Sequence, residues 1–397
     1  MSDLCVRCKS RGWCGGPCKL LANLKKYQPK IKLEFSGSSP PEVFVGRYNY
    51  PHVFTGVLAP DEHGNTEKMS MPESWFENKE SIQNILSYRS QMIYSRFTSN
   101  IKKQTRLKGF MQEIALASKH VDASFKLKKK PTVKLDLNRH VAMIGNPAPL
   151  VSAKLDSNPK VKKKVDYLVN DTDAKSVTAI NELHKSKIPV SNIIKVLSAG
   201  LLGKKINRKL VPTRWSVTAT DDIISKTLLK EIRYYSELQE YRLFTGNYIG
   251  NYYEIVLIPG CWSFEVIEMS KKGFWNPKLA VWQDYEGYHP RKKYADSVTG
   301  GYYAVRLPIT EYFMKIKRQA SVLILREVKE EYWAPLGVGI LRELVRDILN
   351  KKYKRFDSMD EVLKEVGKTF DIDKKDFLKK SKLLKERRTQ KRLFDFK

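Results

Sequence analysis

Four of the five cysteines lie within the first twenty residues, in the spacing C-x2-C-x5-C-x3-C. Two close pairs of thiols can meet at one tetrahedral metal ion, and the glycines among them allow the tight turns that point thiolates inward. The remaining cysteine, Cys261, is far along the chain, which is not the pattern of a disulfide framework. The spacing therefore predicts a closed, structural zinc site, although an iron–sulfur cluster also accepts four thiolates. The predicted ligands are Cys5, Cys8, Cys14 and Cys18.

The other end of the sequence reads Gln390-Lys-Arg-Leu393-Phe394-Asp-Phe396-Lys397. Leu393 and Phe396 are three residues apart, so one tight helical turn puts both side chains on one face. Gln390 supplies an amide that both donates and accepts hydrogen bonds. The segment resembles the PIP box, the peptide by which replication and repair proteins dock on the sliding clamp (PCNA). Lys397 stands where the usual aromatic pair would end, so Phe394 and Phe396 would provide the apolar contacts.

The residues before this peptide are strongly basic, which suits an acidic clamp surface and a fast encounter. The alternative is an amphipathic tail that packs on the body of the protein. The terminal position favours the clamp interpretation, because a free chain end can reach a partner.

Polar residues are dense at positions 213–222. Interpreted as a strand over 211–220, the segment would place Arg214 and Ser216 on one face and Trp215 in the core. An arginine beside hydroxyls, followed by a helix N-terminus, suits a phosphate group. A strand with a satisfied arginine and a helix cap explains the pattern equally well.

Carboxylates offer a second possible site. Glu254, Glu265 and Glu268 lie on a predicted hairpin, and together with Asp221-Asp222 they could hold Mg²⁺ for phosphodiester chemistry. Alternatively, an arginine, serine and glutamate set could bind a nucleotide for a glycosyl or ADP-ribosyl transfer. Solvated or paired carboxylates are the favoured interpretation. The catalytic candidates are Arg214, Ser216, Glu265, Glu268 and His140.

No Walker A, GxGxxG, HExxH or GxSxG motif occurs, which argues against ATPases and the common hydrolases. The formal net charge is +30, from 73 Lys+Arg against 43 Asp+Glu. Such a charge attracts polyanions, although it is also what a generally lysine-rich surface would show. The sequence has no apolar run long enough to span a bilayer and begins with polar residues, so a cytoplasmic, nucleoid-associated protein is expected. The predicted nucleic-acid-binding residues are Lys128, Lys129, Lys130, Lys162, Lys163, Lys164 and Arg214.

Strands and helices alternate without a strict βαβ rhythm, which predicts an α+β fold with a mixed or antiparallel sheet. The expected organisation has four parts. They are a zinc knuckle with four cysteine ligands (1–20), a mixed domain with a long helix and basic loops (21–200), a β-rich α+β domain (201–355), and a basic arm, helical or partly disordered, that ends in the clamp-binding peptide (356–397).

Several elements are specific enough to be checked individually. We expect the long helix to span Glu80–Lys119 and two short helices to flank Pro189, with Gly200 as a C-terminal cap. Strands at 252–258 and 262–269 should pair as a hairpin. Further predicted elements are strands at 302–307 and 322–328, a helix at 339–350 and a helix capped by Ser358.

Four stretches of the chain resemble the archaeal Nre DNA-repair family, of the NreA type. They are Ser39–Arg47, Ser198–Gly203, Val211–Ser216 with Asp221-Asp222, and Pro259–Glu268. The resemblance implies a role in repair of DNA damage with recruitment by the clamp, and implies much less about chemistry. Three hypotheses follow: a clamp-recruited factor that binds DNA, a nuclease or nucleotide-dependent transferase on the same framework, and a non-catalytic adaptor that bridges the clamp to other repair proteins.

Overall fold

A computed structural model describes residues 33–132, 143–271 and 279–389. This part of the chain forms two compact units. The C-terminal unit comprises Ser225–Ala334 and the described chain from Leu341 onward; the N-terminal unit comprises the described chain up to Ile224, with Pro335–Ile340. Each unit contains one mixed six-stranded sheet with helices, which confirms the predicted α+β class. No helix within these ranges is both long enough and apolar enough to cross a membrane.

The sheet of the N-terminal unit contains one parallel pair of strands. Its members are β1 (Glu34–Ser39), β2 (Val43–Val45), β3 (His52–Ala59), β4 (Ile93–Asn100), β5 (Val121–Leu127) and β6 (Asn146–Leu155). The lateral order is β1-β5-β6-β4-β3-β2, with β4 and β6 parallel and the other neighbours antiparallel. Along β3 the odd-numbered residues from Val53 to Ala59 are fully buried, while Phe54 points to the opposite face.

The helices of this unit are short. They are α1 (Pro72–Glu77), α2 (Ile82–Gln91), α3 (Arg106–Leu116), α4 (Lys163–Asn170), α5 (Ser176–Lys185) and α6 (Val190–Ser198). The longer α7 (Thr213–Ile232) begins in this unit, and its residues from Ser225 onward belong to the C-terminal unit. Phe110, Met111 and Ile114 of α3 pack in the main core of the sheet. The helices around Pro189 are confirmed, and Gly200 adopts a positive φ of 74° just after α6.

The predicted long helix is wrong, because β4 lies between α2 and α3. Its residues pair with strands on both sides, and β-branched and aromatic residues suit such a position. The capping hydroxyls of Ser81 and Thr105 mark the two separate helix starts by accepting from the backbone N–H groups three residues later.

The sheet of the C-terminal unit also has one parallel pair. Its members are β7 (Tyr241–Tyr248), β8 (Asn251–Ile258), β9 (Ser263–Ser270), β10 (Ala280–Glu286), β11 (Ser321–Val328) and β12 (Lys354–Phe356). The order is β10-β9-β11-β8-β7-β12, with β9 and β11 parallel. The predicted hairpin is wrong in its pairing, because β11 lies between β8 and β9. The apolar pattern locates a strand but does not name its neighbour, and β11, which is buried along its whole length, takes the central place.

Helices cover both faces of this sheet. They are α8 (Gly300–Ile316), α9 (Gly339–Leu349), α10 (Met359–Glu365), α11 (Lys374–Leu378) and α12 (Lys382–Thr389). On one face the ring of Tyr302 in α8 meets Phe264 of β9 edge-on at 5.1 Å. The predicted strand at 302–307 is therefore wrong, since a short, fully buried apolar run does not distinguish a strand from a buried helix.

The opposite face is covered by α10 to α12. Val362, Phe370, Phe377, Leu383 and Leu384 pack there against β7, β8, β9 and β11. Ser358 caps α10 as predicted, accepting from the N–H of Glu361. Up to Thr389 the predicted basic arm is folded on the sheet rather than disordered, because its leucines and phenylalanines supply one side of a core.

Candidate nucleic-acid interface and the anchored C-terminal segment

The predicted strand at 211–220 lies in a helix instead, α7. Pro212 precedes the first turn, and the N–H groups of Trp215 and Ser216 donate to its carbonyl. Proline favours the start of a helix because its φ is already helical. The valines and threonines of the segment prefer strands only weakly, and tertiary packing overrides that preference.

This helix separates the residues of the predicted phosphate site. Residues two apart on a helix are turned by about 200°, so Arg214 and Ser216 do not share a face. Ser216 is fully buried, with its Oγ 3.4 Å from the carbonyl oxygen of Val211. Trp215, expected in the core, is 46% exposed. The phosphate cradle derived from a strand face is therefore wrong.

Glu265 and Glu268 lie on opposite faces of β9, being three residues apart on a strand. Glu268 forms an ion pair with the buried guanidinium of Arg326, Oε2 to Nη1 2.6 Å. Glu265 is fully buried and accepts from Ser381 Oγ at 2.5 Å, from the N–H of Lys382 at 2.7 Å and from other donors. Two carboxylates on opposite faces, each already hydrogen-bonded, do not form a joint catalytic pair.

Glu265 belongs to a row of buried carboxylates that holds the C-terminal segment. Glu254 on β8 accepts from the N–H of Gly367 at 2.7 Å and from Thr369 Oγ1 at 2.7 Å. Glu327 on β11 accepts from the N–H of Asp371 at 2.8 Å. We call Glu254, Glu265 and Glu327 the carboxylate row. These side chains satisfy backbone donors at helix ends and turns that would otherwise be buried unpaired, so their role is structural.

Burial raises the pKa of the Glu265 carboxyl, and its hydrogen bonds from Ser381, Lys382 and Gln283 offset part of that rise. Burial also raises the pKa of the Glu327 carboxyl. Across the ranges that the structure covers, no group of three or more His, Cys, Asp or Glu side chains is placed to hold a metal ion.

The basic segments differ in their surroundings. Lys128, Lys129 and Lys130 directly follow β5 and are exposed, with no ion-pair partner among the described residues. Lys162 and Lys163 are also exposed and begin α4, where positive charge opposes the helix dipole. Lys164 forms an ion pair with Glu182, so its charge is already neutralised. Five unpaired lysines thus remain available to a polyanion.

A set of exposed aromatic side chains was not singled out by sequence reasoning. Tyr48 and Tyr50 lie in the turn between β2 and β3, and Phe54 follows on β3. Trp215 lies against Tyr50, with ring centroids 5.5 Å apart. We call the turn and its flanking strands, residues 43–59, the aromatic hairpin. The available signal was Tyr48-Asn-Tyr-Pro51, a turn sequence richer in aromatics than a solvated turn requires.

A hydrogen-bonded chain links Ser36, His63 and Asp122. Ser36 Oγ is 3.0 Å from His63 Nε2, and His63 Nδ1 is 3.2 Å from Asp122 Oδ1. The order matches that of a nucleophile, a base and an orienting acid. The side chains of His63 and Asp122 are 54% and 40% exposed, however, and Ser38 Oγ donates to the same carboxylate oxygen at 2.5 Å. A catalytic triad works in a site that excludes water, and these side chains are exposed. We therefore assign the Ser36–His63–Asp122 hydrogen bonds a structural role, which is to hold the loop after β3 against edge strand β1.

Three groups of predicted residues lie outside the described part of the chain. They are the zinc ligands Cys5, Cys8, Cys14 and Cys18, the candidate base His140, and the clamp-binding residues Gln390, Leu393, Phe394 and Phe396. The described chain reaches Thr389, the residue immediately before the clamp-binding peptide.

The described chain is thus a two-unit α+β protein with exposed, unpaired lysines and a C-terminal segment anchored by buried carboxylates. Sequence comparison identifies its family. Residues 14–276 match the family described as Archaeal Nre, N-terminal, and residues 286–396 match Archaeal Nre, C-terminal. The chain belongs to the archaeal Nre family.

Curated relatives are similar over nearly their whole length. DNA repair protein NreB of Archaeoglobus fulgidus is 35% identical over 396 residues, 99% of either chain. DNA repair protein NreA of the same organism is 34% identical over 91% of this chain and 93% of its own. DNA repair protein NreA of Haloferax volcanii is 30% identical over 95% of this chain and 93% of its own. No solved structure matches the chain.

Proposed function

We propose that this protein acts in the repair of damaged DNA, recruited by the sliding clamp through its C-terminal peptide and binding DNA through basic surfaces. The observation that carries the proposal is the identity of 35% over 99% of the chain to a protein named for DNA repair. The net charge of +30 supports contact with a polyanion. The enzymatic alternative built on Arg214, Ser216, Glu265 and Glu268 is not favoured. Glu265 and Glu268 lie on opposite faces of β9, and Ser216 is buried.

The packing of α12 fixes the point from which the proposed clamp-binding peptide would begin. Leu383 and Leu384 of this helix are buried, and Arg387 Nη2 donates to Ser321 Oγ at 2.7 Å. Tyr285 donates its hydroxyl to Glu386 at 2.5 Å. The peptide from Gln390 onward would thus leave a fixed point on the protein, which restricts where a bound clamp can lie.

Calorimetric titration of the full-length protein into its cognate clamp tests recruitment. The double variant Leu393→Ala/Phe396→Ala should bind at least about a hundredfold more weakly, because it removes both predicted anchors of the pocket. Lys397→Ala, at the position where the motif departs from the usual pattern, is the matched control and should bind like the wild type. Undiminished binding by the double variant would refute the PIP assignment.

Salt titration tests the DNA-binding part. The affinity for duplex DNA should fall with a log–log slope of about −0.9 for each phosphate contacted. Replacing Lys128, Lys129 and Lys130 with alanine should reduce that slope by about two to three. Lys351→Ala, which removes a lysine already paired with Asp347, should leave the slope unchanged. A protein that binds the clamp but no DNA would instead be the adaptor of the third hypothesis.

We also propose that Cys5, Cys8, Cys14 and Cys18 bind one structural zinc ion, on the chemistry of four thiolates in two close pairs. Elemental analysis of protein purified without added metal should give one zinc per chain. Cys8→Ser should lower that content, whereas Cys261→Ser should not. Iron with visible absorbance in place of zinc would assign a cluster instead.

A further inference from the structure

We propose that the aromatic hairpin and the adjoining end of its sheet bind the unpaired bases of single-stranded DNA. The inference deepens the proposed DNA-binding function and rests on it. Its basis is one small area of the N-terminal unit where exposed rings, unpaired arginines and lysines occur together.

The exposed rings are the first part of the argument. Tyr48 is 74% exposed, Trp215 46%, Phe54 44% and Tyr50 39%. Isolated exposed aromatics are common, but three on one hairpin, with Trp215 of α7 against Tyr50, are the kind of exposed apolar group that marks a binding surface. Every base offers a flat π face that can stack on such rings, whatever its sequence.

Cations next to the rings are the second part. The guanidinium carbon of Arg96 lies 4.4 Å from the centre of the Phe54 ring, and that of Arg47 lies 5.1 Å from the centre of the Tyr48 ring. Neither arginine pairs with a carboxylate of the described chain. Arg47 Nη2 also lies 3.4 Å from the Tyr48 hydroxyl oxygen, to which it donates. A guanidinium has five N–H donors, so an arginine beside a ring can still bind a phosphate while the ring contacts a base.

The same end of the sheet continues the positive charge. His52, the first residue of β3, pairs with Asn100, the last residue of β4, and the N–H of Ile101 donates to the carbonyl of Pro51 at 3.0 Å. Lys102 and Lys103 follow immediately and are exposed. The turn with the rings and the turn with the lysines are therefore neighbours.

Polar groups between the two turns could read base edges. Asn100 Nδ2 is 3.3 Å from His52 Nε2, and both side chains lie on the same face as Phe54. An amide and an imidazole both donate and accept hydrogen bonds, which suits the exposed edges of unpaired bases.

The combination favours a single strand over a duplex. In a duplex the base faces are stacked on one another and cannot meet a protein ring, whereas phosphates are equally available in both. Duplex binding should therefore use lysines such as those after β5, and single-strand binding should additionally use the rings.

The test measures anisotropy of a labelled deoxythymidine oligonucleotide of roughly 15 nucleotides, within the range of site sizes of single-strand-binding folds. Tyr48→Ala and Phe54→Ala should each weaken binding about 5- to 150-fold, which corresponds to the loss of one stacked base. Tyr48→Phe should retain most of the affinity. Tyr167→Ala removes a tyrosine of α4 in the same unit that is 61% exposed, between Phe54 and Tyr48, and should have no effect.

Parallel titrations with a hairpin-closed duplex of the same length separate this inference from the proposed function. We expect Tyr48→Ala and Phe54→Ala to bind the duplex like the wild type. The melting temperatures of these two protein variants should also equal that of the wild-type protein. Wild-type-like single-strand affinity in Tyr48→Ala and Phe54→Ala would overturn the inference, even if duplex binding stands. An intact protein that binds neither form would overturn both.

Discussion

The carboxylate of Glu265 on β9 accepts a hydrogen bond from the backbone N–H of Lys382, 2.7 Å away and more than a hundred residues later in the chain. Lys382 is the first residue of α12, and the hydroxyl of Ser381 just before it accepts from the N–H of Leu384 as an N-cap. Glu265 therefore satisfies first-turn donors that this cap leaves without an acceptor. A negative charge at this position also complements the helix dipole. The last described helix is thereby fixed to the centre of the C-terminal unit.

Glu265→Ala should lower the free energy of unfolding of the C-terminal unit by about 3 kcal/mol, because three donors on Ser381, Lys382 and Leu383 would remain buried without an acceptor. Urea denaturation measures the change. Glu330→Ala, at an exposed position, is the control and should cost under about 0.5 kcal/mol. A loss as small as that of the control would show that α12 is held by its leucines and by the contacts of Glu386 and Arg387.

The raised pKa of Glu265 gives this contribution a definite pH dependence. A carboxyl whose pKa is higher in the folded state binds protons more tightly there. Its contribution to stability is therefore greatest below the ordinary value of about 4.5 and declines as the pH rises through the folded value. Burial is the main cause of the raised pKa. The pH dependence should therefore disappear when the carboxyl of Glu265 is replaced by a neutral group.

Stability of wild type and Glu265→Gln should be compared across pH 4 to 8 by denaturation. The difference between them isolates Glu265 from the other carboxyls, among which Asp122 has a lowered pKa and the opposite trend. The free energy of unfolding of the wild type, relative to that of Glu265→Gln, should fall as the pH rises. An advantage that grows with pH would mean that the ionised form is the better stabilised one.

Sequence patterns predicted where some helices and strands lie better than they predicted which strands pair with each other. Gly200 and Ser358 were recognisable because a helix end needs a residue of a particular type. The segments at 211–220 and 302–307 were not, since β-branched and apolar residues suit a strand and a buried helix alike. Strand β11 could not be placed between β8 and β9 because pairing depends on contacts between distant parts of the chain.

The candidate site illustrates the same limit. Glu265 and Glu268 attracted attention as acids in a β-rich segment, but their function depends on Ser381 and Arg326, which are far away in sequence. The exposure of Tyr48 and Phe54 was equally hidden, because an aromatic residue beside a strand is usually part of a core.

The buried pair of Glu268 and Arg326 leads to a prediction with two parts. Glu268→Ala should cost about 3–5 kcal/mol, because it removes the charged partner of the buried Arg326 guanidinium and leaves it the neutral acceptor Asn251. Replacing both residues together, as Glu268→Leu/Arg326→Met, should cost much less, since no charge is left unpaired.

Chemical denaturation of both variants checks this, with Lys317→Ala as a control that disrupts an exposed pair with Glu231. If the double variant were as unstable as Glu268→Ala, packing around Arg326 rather than its charge would be the important factor.

Two glycines provide a matched pair with opposite expected signs. Gly200 has a φ of 74°, and a Cβ there would lie 2.6 Å from the backbone of Lys209. Gly109 lies inside α3, where a Cβ would meet, among the described residues, the side-chain amide of Gln104 at 3.6 Å and nothing nearer. Gly200→Ala should therefore destabilise the N-terminal unit by about 1 kcal/mol or more, because alanine resists a left-handed backbone and backbone atoms cannot move aside.

Gly109→Ala should instead stabilise that unit by about 0.5–1 kcal/mol, since alanine is the better helix former and has room. Thermal denaturation should show the two variants shifted in opposite directions from the wild type. Equal shifts would mean that the turn after α6 relaxes to accept a side chain, and that Gly200 is not required for its geometry.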